Sequence, residues 1–84
     1  MRRYFYHLLE GSGLVLDPDG AVCADDASAR HNAVRSIREL IAEEIKESGT
    51  VDLTRALQIC RPAKTQIFIV QFDEAILIRG RASS

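Results

Sequence analysis

Proline, glycine and cysteine are all scarce in this chain of 84 residues, which holds two prolines, five glycines and two cysteines. With 46% hydrophobic and 27% charged residues, so few chain breakers exclude a disordered or low-complexity protein. Cysteine is too sparse for a disulfide scaffold. Cys23 and Cys60 lie far apart, with no Cys-x-x-Cys pair and no paired histidine spacing, so free thiols in a reducing cytoplasm are expected. An excess of either charge is missing as well. Eleven Lys and Arg against twelve Asp and Glu leave a net charge of −1, whereas a dedicated nucleic-acid binder carries a basic excess. No apolar run is long enough to span a membrane. The start, Met1-Arg2-Arg3 before Tyr4 to Leu9, imitates a signal peptide. However, His7 interrupts the apolar run and Glu10 closes it without a small-residue cleavage site. A cytoplasmic location is expected.

Motifs that carry chemistry are also lacking. His7 and His31 are the only histidines, and no acid–base pair of carboxylates stands out. Gly11-x-Gly13 leads into a strand rather than a helix, so it makes no phosphate cradle. Asp17-Pro18-Asp19-Gly20 is acidic but lacks the spaced aspartates and trailing glutamate of a calcium loop, and is read as a turn. No catalytic residue, cofactor or metal is assigned, and a non-enzymatic protein is expected.

What the sequence does have is one long helical pattern among short strands. Asp26 to Ser48 repeats apolar residues at three- and four-residue steps: Ala29, Ala33, Ile37, Leu40, Ile41 and Ile45. Asp25 or Asp26 is the N-cap, and Gly49 supplies the left-handed stop. Arg3 to Leu9 and Leu14 to Leu16 make a hairpin, and Arg55 to Cys60 and Thr65 to Phe72 make a second. Ala21 to Ala24 either extends the second strand or leads into the helix. The expected fold is α+β, ββαββ, a four-stranded antiparallel sheet with the helix on one face. One domain covers residues 1–84, with a frayed tail from Arg79.

Two features point to self-association. About 23 residues make a helix of roughly 34 Å, longer than strands of roughly 20 Å. Its charges run against the helix dipole: Arg30, Arg35 and Arg38 come first, and Glu39, Glu43, Glu44 and Glu47 follow, with Lys46 the only exception. Two antiparallel copies would set each basic half against an acidic half. The strands are also apolar on both faces, with Tyr4, Tyr6 and Leu8 opposite Phe5 and Leu9, and Ile67 and Ile69 opposite Phe68, Val70 and Phe72. One helix covers one face only, so the other set is left for a partner. The candidate interface is Arg35, Arg38, Glu39 and Glu43 on the helix with Tyr4, Tyr6 and Phe68 on the sheet, in a homodimer that also suits docking of a protein partner.

Arg3-Tyr4-Phe5-Tyr6-His7-Leu8, the following Gly11-x-Gly13 and the Asp17-Pro18-Asp19-Gly20 turn resemble the start of a family of small bacterial proteins. That family is common in soil and plant-associated alphaproteobacteria and is described only as a domain of unknown function. Ala29-Arg30 near the helix start and Phe72-x-x-Ala75 resemble the same pattern, so the likeness covers nearly the whole chain. It implies one small domain and carries over no functional residues. The sheet-plus-helix plan is also similar in outline to the HicB-type antitoxin domain. The alternative function is therefore a nucleic-acid-associated or antitoxin-like regulator. Arg2, Arg3, Arg55, Arg61, Lys64, Arg79 and Arg81 would then form a basic surface beside Tyr4, Tyr6, Phe68 or Phe72 as stacking rings.

Overall fold

The computed structural model describes residues 1–80, so residues 81–84 of the expected tail lie outside the described residues. The chain forms β1 (Arg2–Glu10), β2 (Gly13–Val15), β3 (Ala21–Cys23), α1 (Asp26–Ser48), β4 (Ala56–Arg61) and β5 (Thr65–Gln71). Single 3-10 turns follow the last two strands, at Pro62–Lys64 and Phe72–Glu74. All pairings are antiparallel, and the sheet order is β2-β1-β4-β5, with β3 also on β1. The α+β fold with one helix on an antiparallel sheet is as read from the sequence. The sheet has five strands rather than four, because Ala21–Cys23 returns to pair with Arg2–Tyr4.

Asp17 makes that return work. β2 holds Leu8–Glu10 of β1, and β3 holds Arg2–Tyr4, which leaves a gap between them. In the gap the Tyr6 N–H donates to Asp17 Oδ2 at 3.2 Å, and the Asp17 N–H donates to His7 Nδ1 at 3.0 Å. Asp17 Oδ1 also accepts the N–H groups of Asp19 and Gly20, closing the turn. A carboxylate thus stands in for a missing stretch of ladder. Gly20 sits at φ 71°, and a Cβ there would lie 2.6 Å from the Tyr4 carbonyl oxygen, so only glycine fits.

The helix matches its expected bounds. The Asp25 carboxylate accepts the Ser28 N–H at 2.8 Å, and Gly49 closes the C-terminus at φ 72° with its N–H on the Ile45 carbonyl. Ala29, Ala33, Ile37 and Ile41 are buried against the sheet. Leu40 and Ile45, expected in the same stripe, are exposed. The last turn, Ile45–Ser48, runs past the buried surface, as a helix longer than its strands must.

The helix lies on the face that carries Tyr4, Tyr6 and Leu8 of β1, Leu57 and Ile59 of β4, and Val70 of β5. Register makes this one set: Tyr6 pairs with Ile59, Leu8 with Leu57, Leu57 with Val70, and Ile59 with Phe68. Tyr4, Ile37, Ile59, Val70 and Phe72 are the largest fully buried side chains, each worth roughly 1.5–3 kcal/mol on burial. Strict alternation placed Ile67 with Ile69. A bulge between Ile59 and Cys60 on the partner strand instead makes Ile67 the extra residue, and it turns to the core beside Phe68.

Both ends of the helix are tied to the sheet by charge. At its start, the Tyr4 hydroxyl donates to Asp26 Oδ1 at 2.7 Å, and the Arg61 guanidinium engages both Asp26 oxygens. The small side chains of Ala29 and Ala33 leave room there for tyrosine rings, and the Tyr6 hydroxyl donates to the Ala29 carbonyl at 3.1 Å. Near its end, Glu44 receives Arg55, which is buried. Arg30 pairs with Glu74 at 3.1 Å.

Candidate functional site

The face away from the helix is open. β1 presents Phe5, His7 and Leu9 there, β4 presents Ala56, Gln58 and Cys60, and β5 presents Gln66, Ile69 and Gln71. Beside β2 this face dips into a groove of 780 Å³ lined by Phe5, His7, Leu14, Leu16, Gln58 and Cys60. Leu14 is 49% and Leu16 62% exposed on its rim.

The polar groups in the groove are anchored to backbone or to each other. The Phe5 and His7 rings stack with centroids 6.3 Å apart and planes 14° apart. His7 Nδ1 accepts the Asp17 N–H, which puts the hydrogen of the neutral ring on Nε2. Burial acts to raise the Asp17 pKa, but the N–H donors of Gly20, Tyr6 and Asp19 outweigh it and hold the carboxyl below its ordinary value. Burial pushes the Cys60 thiol up, away from the thiolate a nucleophile needs. Gln58 Nε2 donates to Gln66 Oε1 at 2.7 Å across two strands. Among the described residues no group of three or more His, Cys, Asp or Glu side chains gathers around a common point. This is an apolar floor with a tethered polar rim.

The residues singled out in the sequence fall into two groups. Arg35, Arg38, Glu39 and Glu43 stand exposed on the outer face of the helix, and Arg38 Nε also donates to the Ala75 carbonyl at 2.7 Å. Tyr4, Tyr6 and Phe68 are not on the open face. They turn under the helix, and Tyr4 is fully buried. The reason is register: Leu57 and Ile59 commit one face of β4 to the core, and the even-numbered residues of β1 align with them. The open set is therefore Phe5, His7 and Leu9. Of the residues named for a basic stacking surface, several are placed elsewhere among the described residues. Phe72 and Arg55 are buried, Arg61 is engaged by Asp26, and Arg81 lies outside the described residues.

Arg55 is the residue that sequence reasoning misplaced most. It is 4% exposed. Its Nε donates to the Asp52 carbonyl at 2.9 Å, Nη1 and Nη2 engage the two Glu44 oxygens, and its guanidinium lies 4.5 Å from the centre of the Phe72 ring. Glu10 approaches at 4.0 Å. Its position directly before β4, with Glu44 inward on the helix stripe, was the available signal for a buried pair.

Fold and surface define a small α+β domain whose sheet is covered by the helix on one side and, among the described residues, by no helix on the other. The chain belongs to the family described as a domain of unknown function, DUF6894, whose model matches residues 3–73. No match stands among curated proteins or solved structures. The family carries no assigned activity. No helix among the described residues is long and apolar enough to cross a membrane.

Proposed function

We propose that this protein is a non-enzymatic interaction domain that self-associates. The observation that carries the reading is the apolar surface left bare by a single helix, with Leu14, Leu16 and Ile69 exposed on the open sheet face. An 84-residue chain has a thin core, and association is a common remedy. A second copy is the partner that the charges favour. The exposed Arg35 and Arg38 precede Glu39 and Glu43 on one helix, an order that complements itself when two helices run antiparallel. Absence of catalysis is supported by a histidine tethered through Nδ1 and a buried Cys60 thiol raised in pKa. Two free, buried cysteines suit a reducing cytoplasm. Light scattering across a concentration series tests the reading. A dimer that dissociates on dilution is expected, and a monodisperse monomer at high micromolar concentration refutes it.

A further inference from the structure

The sheet has two lateral edges, and they are built differently. One is formed by β2 and β3, two strands of three residues each, separated by Leu16-Asp17-Pro18-Asp19-Gly20. Short strands, a proline and charges are the devices by which folds stop a sheet from adding strands. The other edge is β5, last in the strand order. Its seven residues are Thr65, Gln66, Ile67, Phe68, Ile69, Val70 and Gln71. None is charged, none is proline or glycine, and four of the seven have strong β propensity with an apolar side chain. The bulge at Ile67 interrupts its start, but Phe68 to Gln71 is a regular, uncharged stretch with no strand beside it among the described residues, and an edge of this kind is normally avoided on a free surface.

We infer that β5 is the seam of a homodimer, pairing antiparallel with β5 of a second copy across a two-fold axis perpendicular to the sheet. This rests on the self-association proposed above and locates it at the sheet edge, where it takes in Ile69 and leaves Leu14 and Leu16 on the opposite edge exposed. The result is one continuous sheet of twice five strands with both helices on the same side.

The faces of the strand fix the register. Residues directly opposite each other in an antiparallel pair point to the same face. In β5, Phe68 and Val70 point to the helix side and Ile69 to the open side. A seam centred on Ile69 sets Ile69 against the partner's Ile69 and Phe68 against the partner's Val70, so every central pair is apolar and matched in face. Centring on Phe68 instead opposes Ile69 to the partner's Ile67, which the bulge has turned to the other face. Centring on Val70 requires Phe72, which lies in a 3-10 turn beyond the strand.

The helix charges agree with the same axis. Arg61, opposite Thr65 at the start of β5, holds Asp26 at the start of α1. Arg55, beside the Ala56 that pairs with Gln71, holds Glu44. The helix therefore runs alongside β5 in the same direction, and it packs on both β4 and β5. A two-fold at Ile69 lays the two helices antiparallel, which sets the exposed Arg35 toward the partner's half bearing Glu39 and Glu43, while Arg30, Arg38 and Glu44 keep their own partners in Glu74, the Ala75 carbonyl and Arg55. A second copy supplies both the matching edge and the complementary charge order.

The full chain tests this with two variants. Ile69→Lys places two ammonium groups opposite each other at the axis. Ile69 is 43% exposed on the open face, so the lone domain tolerates the change. Dimer affinity measured by light scattering and sedimentation is expected to fall at least tenfold, with the helical circular dichroism unchanged. Ile69→Cys is expected to give a cross-linked dimer on mild oxidation, since cross-strand Cβ atoms lie about 4.5–5.5 Å apart, while Leu16→Cys on the far edge does not. A parent chain that is monomeric throughout overturns both this seam and the self-association reading. A parent dimer that Ile69→Lys leaves intact, or an Ile69→Cys that cross-links no better than Leu16→Cys, overturns the seam alone.

Discussion

Removing Glu44 is expected to cost this domain far more than removing any other surface glutamate. Glu44 is the counter-ion of Arg55, whose side chain is 5% exposed. Taking away one partner of a buried pair leaves an uncompensated charge and typically costs about 3–5 kcal/mol. The lower end applies here, because the Asp52 carbonyl, the Phe72 ring and Glu10 still contact the guanidinium. About 3 kcal/mol is a large share of the roughly 4–13 kcal/mol that a chain of this size holds. At about 4–8 °C per kcal/mol, Glu44→Ala lowers Tm by about 12–24 °C. Urea and thermal unfolding followed by circular dichroism measure it. Glu43→Ala is the control, since its carboxylate is on the exposed outer face, and less than about 0.5 kcal/mol is expected. The double variant Arg55→Met with Glu44→Leu removes both charges and is expected to recover most of the loss. A Glu44→Ala variant within 1 kcal/mol of the parent would refute the reasoning and show that the buried guanidinium finds its compensation elsewhere.

Gly20→Ala forces a Cβ against the Tyr4 carbonyl at positive φ and is expected to destabilise by at least about 2 kcal/mol in urea, whereas Gly11→Ala, with open space around it, costs only the φ strain of about 1 kcal/mol. On the acid side, hydrogen bonds from Tyr4 and Arg61 depress the Asp26 pKa, and donors from Ser28, Thr54 and the Gly20 loop do the same for Asp25, Asp52 and Asp17. The stability these carboxylates contribute is complete above their ordinary value of 3.8 and is lost as pH falls below it through the depressed folded values. Asp26→Asn should flatten that acid slope, and superimposable pH–stability curves for parent and variant would count against it. On the alkaline side, the hydrogen bond to Asp26 raises the Tyr4 pKa and burial raises that of Tyr6. Their contribution is complete below the ordinary value of 10.0 and is lost as pH rises above it, so phenolate absorbance should appear only together with loss of the helical signal. Absorbance rising well before unfolding would contradict the buried placement of these rings.

Much of this protein is set by local pattern. The helix from Asp26 to Ser48, its Asp25 cap and its Gly49 stop follow from spacing and end chemistry that act within a few residues. The strands at β1, β4 and β5 follow from branched and aromatic runs between turn residues, and one face of β4 announces itself through Leu57 and Ile59. The inverted charge order of the helix is likewise written in the chain. Three things waited for the tertiary structure. Which side of β1 meets the helix depends on a register of Tyr6 with Ile59, and a shift of one residue would have buried Phe5 and Leu9 instead. The third strand depends on Asp17 bridging a gap in the ladder, a contact between residues far apart in sequence. The burial of Arg55 depends on Glu44 and Phe72 arriving from two other elements to compensate a charge that, alone, belongs in water. Short-range geometry dictates the elements. Their faces, the partner of each charge and the edge left bare are properties of the pairing between them.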